Sequence, residues 1–90
     1  MEFIDFLLAH HSEGTAKRYE KEVLSFLFSV DKKAVDYQVV MDYLAEQRGR
    51  GRQATLVSLA AIKRYFDYEL YTGRRTDHPA KTIRLKGSFA

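Results

Sequence analysis

The chain has 90 residues, one domain's worth, with 46% hydrophobic and 13% aromatic content, enough apolar side chain to exclude a disordered segment. It contains no cysteine, which excludes a disulfide scaffold and a thiolate metal site. The net charge of +3 divides unevenly, because residues 1–47 carry a net of −4 and residues 48–90 a net of +7. A basic half of that kind points to a polyanionic partner, most simply nucleic acid. The N-terminus carries Glu2 and Asp5 and no basic run, so it does not read as a signal peptide. No apolar run approaches the ~20 residues that span a bilayer, and no membrane association is expected.

In chain order, Phe3, Phe6 and Leu7 share one helical face and predict a first helix from Glu2 to about His10. Ser12 is placed to cap a second helix running from Glu13 to Phe28. On that helix Ala16, Tyr19, Val23, Phe26, Leu27 and Val30 gather on one side, opposite Lys17 and Lys21, with Arg18 on the flank. Asp31-Lys32-Lys33 reads as a turn. Asp36 is an N-cap for a third helix over Tyr37–Gln47, with Val39, Val40, Tyr43 and Leu44 on its buried face. Arg48-Gly49-Arg50-Gly51-Arg52 then reads as a flexible, strongly basic connection.

The fourth predicted helix is the longest, from Ala54 to Tyr71. Leu56, Leu59, Ile62, Phe66 and Leu70 make its main stripe, while Val57, Ala61 and Tyr68 lie on the other side. A helix apolar on two sides is central in its fold. Gly73 is a natural helix stop. The residues after it, with Arg74, Arg75, Lys81, Arg84 and Lys86, lack helical periodicity and read as a linker or arm. The expected architecture is all-α, a compact four-helix domain over residues 1–73 followed by a basic extended tail over 74–90.

No catalytic constellation is visible. His10 and His11 are adjacent, and His78 is distant in sequence, so they make poor metal ligands. The Arg-Gly repeat lacks the spacing and the Lys-Ser/Thr of a phosphate-binding P-loop. The carboxylates sit beside Lys or Arg at helix-surface spacing, where solvated ion pairs are the default. No enzymatic activity, metal, cofactor or small-molecule substrate is expected of this chain.

Binding chemistry is visible. Arg48, Arg50 and Arg52 feed into a helix N-terminus, whose unpaired N–H groups and partial positive charge suit a phosphate. Gln53, Thr55 and Ser58 follow, with side chains able to reach base edges or backbone. Lys17, Arg18 and Lys21 form a second basic group, partly offset by Glu13, Glu20 and Glu22. Arg64 adds a further cation, and Lys63, near the apolar stripe, reads as a snorkelling side chain. Tyr19, Phe26, Tyr43, Tyr65 and Phe66 have the spacing of core residues rather than of base-stacking platforms.

The order of these features resembles the SAM-like core-binding domain of tyrosine recombinases, the N-terminal domain of phage integrases. The resemblance is carried by Phe3-Ile4-Asp5-Phe6-Leu7, by Ser12-Glu13-Gly14-Thr15-Ala16-Lys17-Arg18-Tyr19 and by Leu24 with Phe26-Leu27. Val40, Tyr43 and Leu44, then Ala54-Thr55-Leu56 and Leu59-Ala60-Ala61-Ile62-Lys63-Arg64-Tyr65-Phe66, continue it. Gly73, His78-Pro79-Ala80 and Leu85-Lys86-Gly87 resemble the family's exit toward its catalytic domain, with His78 where Asn is commoner. The resemblance implies a domain that closes with a catalytic partner as a clamp around double-stranded DNA, its second and fourth helices toward the major groove. It implies contacts from Thr15-Ala16-Lys17-Arg18 and Arg52-Gln53-Ala54-Thr55, and neighbouring recombinase subunits in a tetramer. It further implies a domain cut from a longer, cytoplasmic, bacterial or phage-encoded recombinase acting in DNA integration or recombination, with the catalytic tyrosine elsewhere. Two other readings stay open, a helical DNA-binding regulator of helix-turn-helix type and a protein-interaction module.

Overall fold

Local sequence signals start and stop each helix in the computed structural model, which describes residues 2–31 and 34–85. Helix α1 spans Phe3–His10, α2 Glu13–Ser29, α3 Tyr37–Gln47 and α4 Arg52–Tyr71, and no strand occurs among the described residues. The Asp5 carboxylate accepts from the Glu2 N–H at 3.3 Å, closing the first turn of α1. Ser12 caps α2 by accepting from the Thr15 N–H, and Asp36 caps α3 by accepting from the Val39 N–H at 2.9 Å. Lys32 and Lys33, in the expected turn, lie outside the described residues, as do Lys86 and Gly87.

The Arg-Gly repeat is not a flexible connection. Arg48–Arg50 form one turn of 3-10 helix, and Gly51 follows with φ 104° and ψ 163°, a conformation open essentially to glycine alone. That reversal lets α4 begin at Arg52, two residues earlier than its apolar pattern predicts. At the other end Gly73 takes φ 76°. The Arg74 N–H bonds the Glu69 carbonyl at 3.0 Å and the Gly73 N–H bonds the Leu70 carbonyl at 3.1 Å, the paired bonds of a Schellman stop.

Helix α4 packs against α1, α2 and α3, as its two-sided apolar pattern predicts. Its main buried stripe is rotated from the expected one. Leu59, Ile62 and Phe66 are buried, but Thr55, Ser58, Tyr65 and Glu69 share that face, while Leu70 is exposed. Phe26 sits at the centre, edge-on to Tyr43 at 5.0 Å and to Phe66 at 6.4 Å. Phe3 and Phe6 of α1 pack on Tyr65 and Tyr68.

The chain after Gly73 corrects the expectation of a linker, at least through residue 85. Ala80 and Ile83 are buried in the same core as Phe26 and Phe66. Arg75 lies 5.2 Å over the Phe66 ring and donates to the Val35 carbonyl at 3.0 Å, tying the segment to the chain just before α3. His78 is anchored on α4, with Nε2 3.1 Å from the Lys63 carbonyl, while Nδ1 accepts from the Ala80 N–H. With that acceptor role at Nδ1, the proton of the neutral ring belongs on Nε2. The domain therefore runs past residue 73 and uses this irregular segment as a fifth packing element.

Candidate functional site

The organising residue of the basic surface is an acid. Glu22, on the flank of α2, is 9% exposed. Its carboxylate accepts two bonds of 3.2 Å from the Arg50 guanidinium and one of 2.7 Å from the Ser58 hydroxyl. The Arg50 bonds hold the Glu22 carboxyl below the usual carboxylate range against the opposing effect of burial, helped by the Ser58 hydroxyl and the charges of Arg50 and Arg18. Arg50 also donates to the Gln47 side chain at 2.7 Å. Through this one carboxylate, α2, the 3-10 turn and α4 are fastened together.

The result brings two basic segments, separate in sequence, to one place. Arg18 lies one turn before Glu22 on α2, and its charge acts on the Glu22 carboxylate that Arg50 holds. Arg48 and Arg52, on either side of that turn, are exposed and line a cavity of about 420 Å³ together with Thr55 and Leu85. Gly51 has no side chain to cap the first N–H groups of α4. Gln53, exposed in that first turn, completes the cluster. Arginines around an uncapped helix N-terminus form a surface suited to phosphate oxygens.

Several expected contact residues are placed otherwise. Ser58 is fully buried and spends its hydroxyl on Glu22. Thr55 is buried as well, donating to the Gly51 carbonyl at 2.9 Å. Neither can reach a base edge, a correction that follows from the rotated stripe of α4. Arg50 is committed to Glu22 and acts as a clamp on the turn. Thr15 hydrogen-bonds Ser12 through its hydroxyl and belongs to the cap of α2. Lys17 and Lys21 project from the outer side of α2, and Lys17 is paired with Glu13 at 3.3 Å, where both ends are exposed and the pair contributes little. Arg64 lies three turns along α4 from Arg52, donating to His11 at 3.0 Å and pairing with Asp67 at 3.5 Å. It is a separate group. Partial burial, followed by the charges of Arg64 and His10, lowers the His11 pKa. Glu22 is the functional residue that sequence reasoning missed. Its only sequence signal is its place at the edge of the apolar face of α2.

Among the described residues, no group of three or more His, Asp or Glu side chains is disposed to hold a metal ion. No helix there is long and apolar enough to cross a membrane. Comparison with family models, curated proteins and solved structures yields no match for this chain.

Proposed function

We propose that this chain is a DNA-binding domain that grips the duplex backbone through Arg18, Arg48, Arg52, Gln53 and the N-terminus of α4. The observation that carries this reading is the Glu22 clamp, which holds two cationic segments of separate origin beside one uncapped helix end. Phosphate contacts of this kind position a protein on DNA without reading sequence. Lys21, further round α2, adds charge to the approach rather than a fixed contact. The order of sequence features supports the finer reading of a SAM-like core-binding domain from a tyrosine recombinase, one half of a clamp for site-specific recombination or integration. On that reading, strand cleavage belongs to the other half, and the partners are double-stranded DNA and further recombinase subunits.

The test is fluorescence anisotropy of a labelled random-sequence duplex across a salt series. Three cations placed as contacts, Arg18, Arg48 and Arg52, predict a log–log slope of about −3 or steeper, at ~0.9 per phosphate neutralised. The double variant Arg48→Gln/Arg52→Gln should make the slope shallower by about 1.8. No binding even at ~50 mM salt, where phosphate contacts are strongest, would refute duplex binding. It would favour the reading as a protein-interaction module, for which Leu24 and Phe28 speak. They are 62% and 95% exposed and one turn apart on α2.

A further inference from the structure

The segment after Gly73 does not lead away from the basic surface but back to it. His78 rests on the Lys63 carbonyl and the Asp67 carboxylate, in the C-terminal half of α4. Seven residues later, Leu85 lines the cavity formed by Arg48, Arg52 and Thr55 at the start of the same helix. Residues 78–85 therefore run antiparallel along α4, pinned by the buried Ala80 and Ile83. Arg84, exposed, lies between the buried Ile83 and the cavity-lining Leu85, and its charge acts on Lys63.

Arg52 and Lys63 are 11 residues apart on α4, which places them about 20° apart around the helix and about 16 Å apart along it. Asp67, one turn beyond Lys63 on α4, pairs with Arg64 at 3.5 Å and with His78 at 3.2 Å. Lys63 is half-buried beside Arg84, and burial, followed by the Arg84 charge, lowers its pKa against the pull of Asp67. Packing thus holds the Lys63 and Arg84 charges close together beside α4. An anion laid over them would relieve that repulsion. A span of about 16 Å reaches past more than one phosphate of a duplex strand.

We propose that Lys63 and Arg84 are phosphate-gripping residues, and that the docked 78–85 segment extends the binding surface from the N-terminus of α4 into a track along the helix. This inference rests on the duplex-binding reading above. It assigns the ligand as the continuous backbone of a double strand rather than an isolated phosphate group.

The experiment uses the full 90-residue chain, the same labelled random-sequence duplex and salt from 50 to 200 mM. Lys63→Gln and Arg84→Gln should each reduce the steepness of the log–log slope by about 0.9 and weaken binding about eightfold at ~0.1 M salt. Lys63→Arg and Arg84→Lys should restore the slope. Circular dichroism melts monitor folding, since a residue that only supports the fold would weaken binding without changing the slope. Wild-type slopes in both Gln variants, with Arg52→Gln impaired, would overturn the track and leave the duplex-binding reading standing. If wild type fails to bind, or Arg52→Gln also binds normally, the duplex-binding surface fails and the track with it.

Discussion

Removal of the Glu22 side chain tests how the basic surface is built. In Glu22→Ala the buried Ser58 hydroxyl loses the partner it holds at 2.7 Å. An unpaired buried hydroxyl costs about 1–3 kcal/mol. Arg50 also loses two charge-assisted bonds, but its side chain is 49% exposed. Water replaces much of that interaction, so the pair adds at most about 1 kcal/mol. The expected loss is about 1–4 kcal/mol, measured by urea unfolding followed by circular dichroism. For a domain of this length each kcal/mol also lowers Tm by about 4–8 °C. Glu22→Gln keeps an acceptor for Ser58 and should lose only about 0.5–1.5 kcal/mol, on the scale of one net hydrogen bond. Ser58→Ala in the Glu22→Ala background should then cost less than in wild type, because the two residues share one interaction. A loss below about 0.5 kcal/mol in Glu22→Ala, the range of ordinary surface substitutions, would refute the clamp. Additive effects of the two substitutions would do the same.

Ile83→Ala should destabilise by about 2–5 kcal/mol, the range for truncation of a buried Ile, because Ile83 is 2% exposed in the main core; a wild-type urea midpoint would return residues 74–85 to the status of a linker. Phe66→Ala should cost about 3–5 kcal/mol, and an unchanged thermal melt would exclude Phe66 from the core. Gly73→Ala should cost about 1–2 kcal/mol from the left-handed backbone alone, since open space surrounds the position where a Cβ would stand; the Tm reports it, and no change would refute the stop geometry. The Tyr65 hydroxyl is buried without a hydrogen-bond partner among the described residues, and burial, with the Glu69 charge, pushes its pKa up to about 12. The unfolded chain releases that proton near 10 and the folded chain holds it, so this contribution is complete below pH ~10 and is lost as pH rises toward ~12, by about 2–3 kcal/mol. Ultraviolet titration at 295 nm should show one tyrosine ionising last, and Tyr65→Phe should remove that late step while leaving the others; a uniform titration near 10 refutes it.

Helix ends were legible because capping is local. Ser12 and Asp36 each satisfy a backbone N–H three residues on, and Gly73 supplies a left-handed residue where the chain must turn. The centrality of α4 was legible too, since apolar residues on two sides of one helix require neighbours on both. The basic segments at 17–21 and 48–52 could be picked out singly. What the sequence by itself could not determine is which polar residues turn inward. Ser58 and Thr55 have the same short side chains whether they face water or a carboxylate. What sets Glu22 apart from Glu13 is that Arg50 and Ser58, 28 and 36 residues away, fall beside it. The segment after Gly73 has no period to detect, and its burial depends on groups offered by distant elements: the Val35 carbonyl, the Phe66 ring and the Lys63 carbonyl. Capping and periodicity are set by neighbours within one or two turns of chain, so sequence encodes them directly. The meeting of α2, the Arg-Gly turn and the returning segment on one edge of α4 is decided by long-range packing, and only the tertiary structure contains it.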